Sequence, residues 1–266
     1  MESPRLSAEL LLAFALGVSR SQLLIHPDVV LTPDEIEIAE GLLARRARHE
    51  PVAYILGFKE FRNLSLRVTP AVLIPRPETE EIPDLASSLQ PSARRILDAG
   101  TGSGCIALSL VELYPEARIL GCDVSGEALG VSVANDARRR VGWVCSNWLE
   151  AFAEHSLDLV VSNPPYLTDE EMDSLDPQIA LHEPAGALRG GVDGLDAYRT
   201  LLPQAYRCLS PGGQVLVEGS PTVAAGVVAL LGEAGFVGTQ IHRDLAGKER
   251  FLSGRRPSER SPGVIR

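Results

Sequence analysis

Apolar positions recur at three- and four-residue spacing over Leu6–Leu16, Ser21–Ile25 and Ile36–Leu43, which predicts helices. Thr32-Pro33-Asp34-Glu35 has the form of a helix start, with a hydroxyl cap, a proline in the first turn and a glutamate three residues on. A short helix is expected from Val52 to Leu56, ended by Gly57. Residues 1–57 thus read as a small helical domain. The pattern then changes to alternation. Phe61–Val68 alternates apolar and polar residues, and Ala71–Ile74 runs into Pro75. Residues 58–75 are therefore expected to form a β-hairpin linker.

From residue 94 strands and helices alternate. Expected strands are Arg95–Asp98, Ala117–Cys122, Val141–Cys145, Leu157–Ser162, Gln214–Glu218, Phe236–His242 and Arg250–Leu252. Expected helices are Cys105–Leu113, Gly126–Arg139, Leu195–Cys208 and Val223–Ala234. Leu157–Ser162 is almost wholly apolar, as a strand covered on both faces must be. This order predicts an α/β fold over 76–254, a Rossmann-like doubly wound sheet whose ligand lies at the carboxyl ends of the strands. Residues 255–266, rich in Ser, Pro, Gly and Arg, read as a disordered tail.

Composition narrows the function. The chain has 266 residues, 45% of them hydrophobic and 23% charged, as in globular proteins. Its net charge of −10 opposes a dedicated nucleic-acid binder, which carries a basic face. The apolar run Leu10–Val18 is far shorter than the roughly 20 residues of a membrane span. It fits a signal peptide poorly, since only Arg5 precedes it and Glu9 sits at its edge. A cytoplasmic protein is expected, with no membrane partner. Cys105, Cys122, Cys145 and Cys208 form no CxxC pair and read as buried free thiols, and the five dispersed histidines give a metal site no support.

Two turns carry the chemistry. Asp98-Ala99-Gly100-Thr101-Gly102-Ser103-Gly104 follows a strand and opens a helix. Glycines let the backbone approach a ligand, and the helix N-terminus favours negative groups. Asp123 ends the next strand, where a carboxylate can accept from two ribose hydroxyls. Together they predict a nucleoside-containing cofactor. The second turn is Ser162-Asn163-Pro164-Pro165-Tyr166. Its prolines make it rigid and remove two backbone donors, leaving the Asn163 side-chain oxygen, the carbonyls and the Tyr166 ring. Acceptors beside a ring suit a planar NH2 group.

These residues resemble S-adenosylmethionine-dependent methyltransferases and, more narrowly, the HemK/PrmC family. The resemblance spans nearly the whole chain. It is carried by Glu50–Gly57, Leu73–Glu80, the 98–104 and 163–166 turns, Glu183-Pro184-Ala185 and Gly190–Leu195. It implies a protein-glutamine N-methyltransferase that uses S-adenosyl-L-methionine and methylates the GGQ glutamine of class 1 peptide chain release factors. It implies that Gly100, Thr101, Gly102, Ser103 and Gly104 wrap the methionine end of the cofactor. Asp123 would bind its ribose, and Trp148 would lie by its adenine. Asn163 would touch cofactor and substrate, with Pro164, Pro165 and Tyr166 around the glutamine. Where family members often read Ser-Asp-Trp, this chain reads Ser146-Asn147-Trp148, so an altered adenine contact is expected. Pro75–Glu80 reads as a substrate-facing element or as a linker with two salt-bridged carboxylates. A ribosomal-protein glutamine methyltransferase, an amino-methylating DNA enzyme and a nucleotide-binding protein without catalysis stay open as alternatives.

Overall fold

A computed structural model describes residues 3–26 and 28–258. Four helices come first: α1 (Pro4–Ala15), α2 (Arg20–Ile25), α3 (Pro33–Ala47) and α4 (Val52–Leu56). Thr32 and Glu35 form the expected capping box at the start of α3, and Ser19 and Gln22 form another before α2. Leu11, Val52 and Ile55 make the small core of this region.

The hairpin follows as β1 (Phe58–Phe61) and β2 (Leu64–Arg67), paired antiparallel. Its turn falls inside the expected strand 61–68. Apolar residues step by three from Phe61 to Leu64, and Arg62 takes a positive φ of 53° between them. Ala71–Ile74 is not a strand. The Tyr54 hydroxyl donates to the Val72 carbonyl at 2.6 Å, and the Ile74 N–H donates to the buried Glu183 carboxylate at 3.1 Å. Side chains thus take the bonds that a strand partner would.

A 3₁₀ turn over Glu78–Glu81 leads into α5 (Ile82–Leu89). Then come β3 (Arg95–Ala99), α6 (Cys105–Leu113), β4 (Arg118–Asp123), α7 (Gly126–Asn135), β5 (Val141–Cys145) and β6 (Leu157–Ser162). Short β7 (Leu167–Thr168), α8 (Asp169–Asp173), α9 (Pro177–Ala180) and β8 (Arg189–Gly191) precede α10 (Asp196–Cys208) and β9 (Leu209–Glu218). The chain closes with α11 (Ala224–Glu233), β10 (Val237–Arg243) and β11 (Glu249–Arg255). The main sheet has the order β10-β11-β9-β6-β3-β4-β5. Its pairs from β9 to β5 are parallel, and β11 runs antiparallel to both neighbours. Neighbouring residues of β3 point to opposite faces. Ile96 joins the core under α5 and α6, and Leu97 the core under α10 and α11.

Three expectations need correction. Helix α7 stops at Asn135 rather than Arg139, because the Asp136 carboxylate accepts from the Arg140 and Val141 N–H groups at 3.0 Å and turns the chain. Cys145 is exposed while the other three cysteines are buried, since it is the last residue of an edge strand. Arg255 and Arg256 belong to the domain and not to a tail. Arg255 ends β11, and the Arg256 guanidinium donates to the Tyr206 and Leu209 carbonyls at 2.7 Å. Residues 259–266 lie outside the described residues.

Candidate active site

The chain builds outward from β3 to β4 and β5, then returns to lay β6 on the other side of β3. At this reversal the loops after β3 and β6 diverge and leave a crevice. Both motif turns stand there. A cavity of about 290 Å³ opens between them, lined by Gly100, Thr101, Gly102, Asp123, Trp148, Asn163 and Pro165.

The Gly-rich turn is shaped by its backbone. Gly100, Gly102 and Gly104 have φ of 71°, 54° and 83°, which favour glycine. A Cβ at Gly104 would lie 2.8 Å from the Trp143 ring. Ser103 and Gly104 do not line the cavity. Ser103 is buried, and Gly104 caps α6, so they shape the turn rather than face a ligand. Asp98 is wholly buried beneath the turn. Its Oδ2 accepts from the Thr101 hydroxyl at 2.6 Å and the Ala107 N–H at 3.1 Å, while its Oδ1 has no partner. Burial pushes its carboxyl up to about 7. Asp123 accepts from the Gly102 N–H on one oxygen and the Ser125 N–H on the other, both at 2.9 Å. Each oxygen keeps lone-pair capacity toward the cavity. The Trp148 ring covers Gly100, where a Cβ would stand 3.2 Å from it. Asn147 also lines the cavity and donates its Nδ2 to Glu150 at 2.7 Å, which leaves its Oδ1 as an acceptor.

Of the second turn, Asn163 and Pro165 line the cavity, and Pro164 and Tyr166 do not. The Tyr166 ring packs on the core, and its hydroxyl donates to Glu218 at 3.3 Å, so the expected stacking on a substrate amide is not its position here. Burial raises its hydroxyl pKa. The Pro164 carbonyl accepts no hydrogen bond from the described residues.

The far wall is built from the Pro75–Glu80 stretch, expected as a substrate-facing element or linker, and from the segment after Glu183, but the sequence singles out no residue of either for the site. Arg76, Thr79, Pro184 and Ala187 also line the cavity. Buried Glu183 bonds Arg76 at 2.7 Å and the Ile74 N–H, and so ties the linker to the 184–187 segment at the mouth. The ion pair of the Pro75–Glu80 stretch is thus made by Arg76, not by a pair of its own glutamates. The prolines at 75 and 77, beside a lone arginine and threonine, were the available signal.

Comparison with known proteins identifies the family. The family model of the PrmC N-terminal domain matches residues 1–57, and that of the methyltransferase small domain matches residues 84–191. A release factor glutamine methyltransferase from Geobacter sulfurreducens is 40% identical over 257 residues, covering 96% of this chain and 90% of that protein. One from Caulobacter vibrioides is 40% identical over 268 residues, covering 98% and 93%. The chain belongs to the release factor glutamine methyltransferase family. Solved structures agree on the fold: a methyltransferase from Pyrococcus furiosus has a TM-score of 0.56 at 18% identity, covering 82% of this chain and 99% of that one. A ribosomal protein L11 methylase from Lactobacillus delbrueckii has a TM-score of 0.50 at 21% identity, covering 72% and 85%. For a methyltransferase of this family, the described cavity fits S-adenosylmethionine. It offers the half-buried Asp123 carboxylate and the acceptor oxygens of Asn147 and Asn163 toward a cationic ligand with hydroxyls, while the orphaned Asp98 oxygen lies beneath the turn and outside the cavity lining. Among the described residues, no helix is long and apolar enough to cross a membrane.

Proposed function

We propose that this protein methylates the side-chain amide nitrogen of the GGQ glutamine in class 1 peptide chain release factors, in the cytoplasm. The observation that carries the reading is the placing of Asn163, whose Nδ2 is engaged by Thr79 at 3.2 Å on the cavity wall opposite the Gly-rich turn. That leaves Oδ1 as the end for a ligand. The names of the relatives supply the substrate.

S-adenosylmethionine, when bound, supplies a methyl group on a sulfonium. Gly100, Thr101 and Gly102 hold its methionine end, Asp123 accepts from its ribose hydroxyls, and Trp148 and Asn147 border its adenine. An amide nitrogen is a poor nucleophile because its lone pair is delocalised into the carbonyl. Asn163 Oδ1, on the cavity wall, accepts one of its N–H bonds and aims the nitrogen. Such positioning can supply roughly 7–11 kcal/mol. The same acceptor stabilises the positive charge that develops on the nitrogen. The N-terminal helices engage the release factor. Exposed apolar residues support this, Ile25 in α2 at 69% and Val30 in the α2–α3 connection at 90%, and the His182 ring, donating to the Arg48 carbonyl at 3.2 Å, links the helical region to the catalytic side.

The test is transfer of labelled methyl to an intact release factor and to one whose GGQ glutamine is replaced by alanine. Label on the first alone is expected. Label on both, or on ribosomal protein or DNA instead, overturns the reading.

A further inference from the structure

Asn163, half-buried on the cavity wall, is one end of a chain of hydrogen bonds that runs into the core. Its Nδ2 donates to Thr79 Oγ1 at 3.2 Å, and Thr79 Oγ1 donates to Glu218 Oε2 at 2.7 Å. The other carboxylate oxygen accepts from the Tyr166 hydroxyl at 3.3 Å, and the Glu218 carbonyl accepts from Tyr198 at 2.6 Å. Glu218 is 1% exposed. Neither Glu218 nor Tyr166 lines the cavity, so their polar groups do not serve a ligand directly.

The chain has a direction. An ionised carboxylate only accepts, and a threonine hydroxyl has a single proton. That proton goes to Glu218, so Thr79 Oγ1 can only accept from Asn163. The NH2 end of the Asn163 amide must then face Thr79, and Oδ1 must face the cavity. A flipped Asn163 would present a donor to the donors of a substrate amide.

We propose that Thr79 and Glu218 are positioning residues that fix the amide orientation of Asn163 and so the acceptor it offers to the substrate. The proposal rests on the function proposed above. It also predicts a pH dependence. The groups facing Glu218 are Thr79, Tyr166 and the Arg250 guanidinium, which favour its ionised form, and Glu78, which opposes it. Burial outweighs them and pushes its carboxyl up to about 7. Protonated Glu218 donates to Thr79, whose proton then turns to Asn163 and favours the flipped amide. Turnover should therefore fall as pH drops through about 7. Asp98 titrates in the same range, but it lies under the Gly-rich turn, so saturating cofactor removes its contribution.

The experiment measures kcat and KM on a release factor, with cofactor affinity by calorimetry, for wild type, Thr79→Val, Thr79→Ser and Glu218→Gln. Thr79→Val should lower kcat between about 10- and 100-fold, the scale of a misplaced reacting group, with cofactor affinity held. Thr79→Ser should recover most of the rate. Glu218→Gln should lose the limb near pH 7. A wild-type kcat for Thr79→Val overturns the proposal, as does cofactor affinity falling in step with turnover. If Thr79→Val does not fold, a limb that persists in Glu218→Gln overturns it equally. Wild type without transfer to the release factor overturns the proposed function instead.

Discussion

The helical region before the hairpin and the sheet domain after it use apolar residues differently. In the sheet domain, strands such as β6 bury nearly every side chain, and helices cover both faces. In the helical region, Leu11, Val52 and Ile55 are the core, while Phe14, Leu24, Ile25 and Ile38 on the helices and Val30 in the α2–α3 connection face solvent at 47–90% exposure. Exposed apolar side chains of this kind are what a protein-binding surface draws on. The sheet domain uses its apolar residues to hold a cavity, and the helical region leaves more of its own exposed, which supports the proposed role of that region in engaging the release factor.

Substitutions can break that comparison. Leu97→Ala should cost about 2–5 kcal/mol in chemical denaturation, because Leu97 is fully buried in the sheet core. Leu24→Ala should stay within about 0.5 kcal/mol. Equal losses would mean that the helices are packed as tightly as the sheet. Asn163→Ala removes an acceptor at the cavity and should lower turnover about 10²-fold, with cofactor affinity reduced less. A wild-type rate would take Asn163 out of the mechanism. Asp123→Ala leaves ribose hydroxyls unpaired and should weaken cofactor binding by about 1–3 kcal/mol, read by calorimetry. Among the effects on activity, the smallest is expected for Val30→Asp. It should lower kcat/KM on an intact release factor by about fivefold, the scale of about 1 kcal/mol at an interface residue. It should not change the rate on a short GGQ peptide. Equal effects on both would sever the helices from recognition.

Much of this architecture was legible in local pattern. Helix α6 and strands β5 and β6 have the bounds that periodicity predicted, because each is bracketed by turn residues. The Gly-rich turn, Asp123 and Asn163 were legible for the same reason, since each closes a strand at its carboxyl end. Helix α5 was not, because prolines at 75, 77 and 83 disguise its start as loop. Nor was β7 to β8, whose elements are too short to show a period. The roles of Thr79 and Arg76 in the wall were hidden for a different reason. Thr79 meets Glu218 across 139 residues of sequence, and Arg76 meets Glu183 across 107. Such pairs exist only once the sheet has brought β9 and the 183–187 segment against the linker.

The account stands on the transfer of a methyl group to one amide nitrogen. Tandem mass spectrometry of a class 1 release factor, incubated with this protein and methyl-labelled S-adenosylmethionine, reads that event directly. The account predicts a single added methyl, located on the GGQ glutamine side chain. An unmodified glutamine, or a methyl on any other residue, would contradict it.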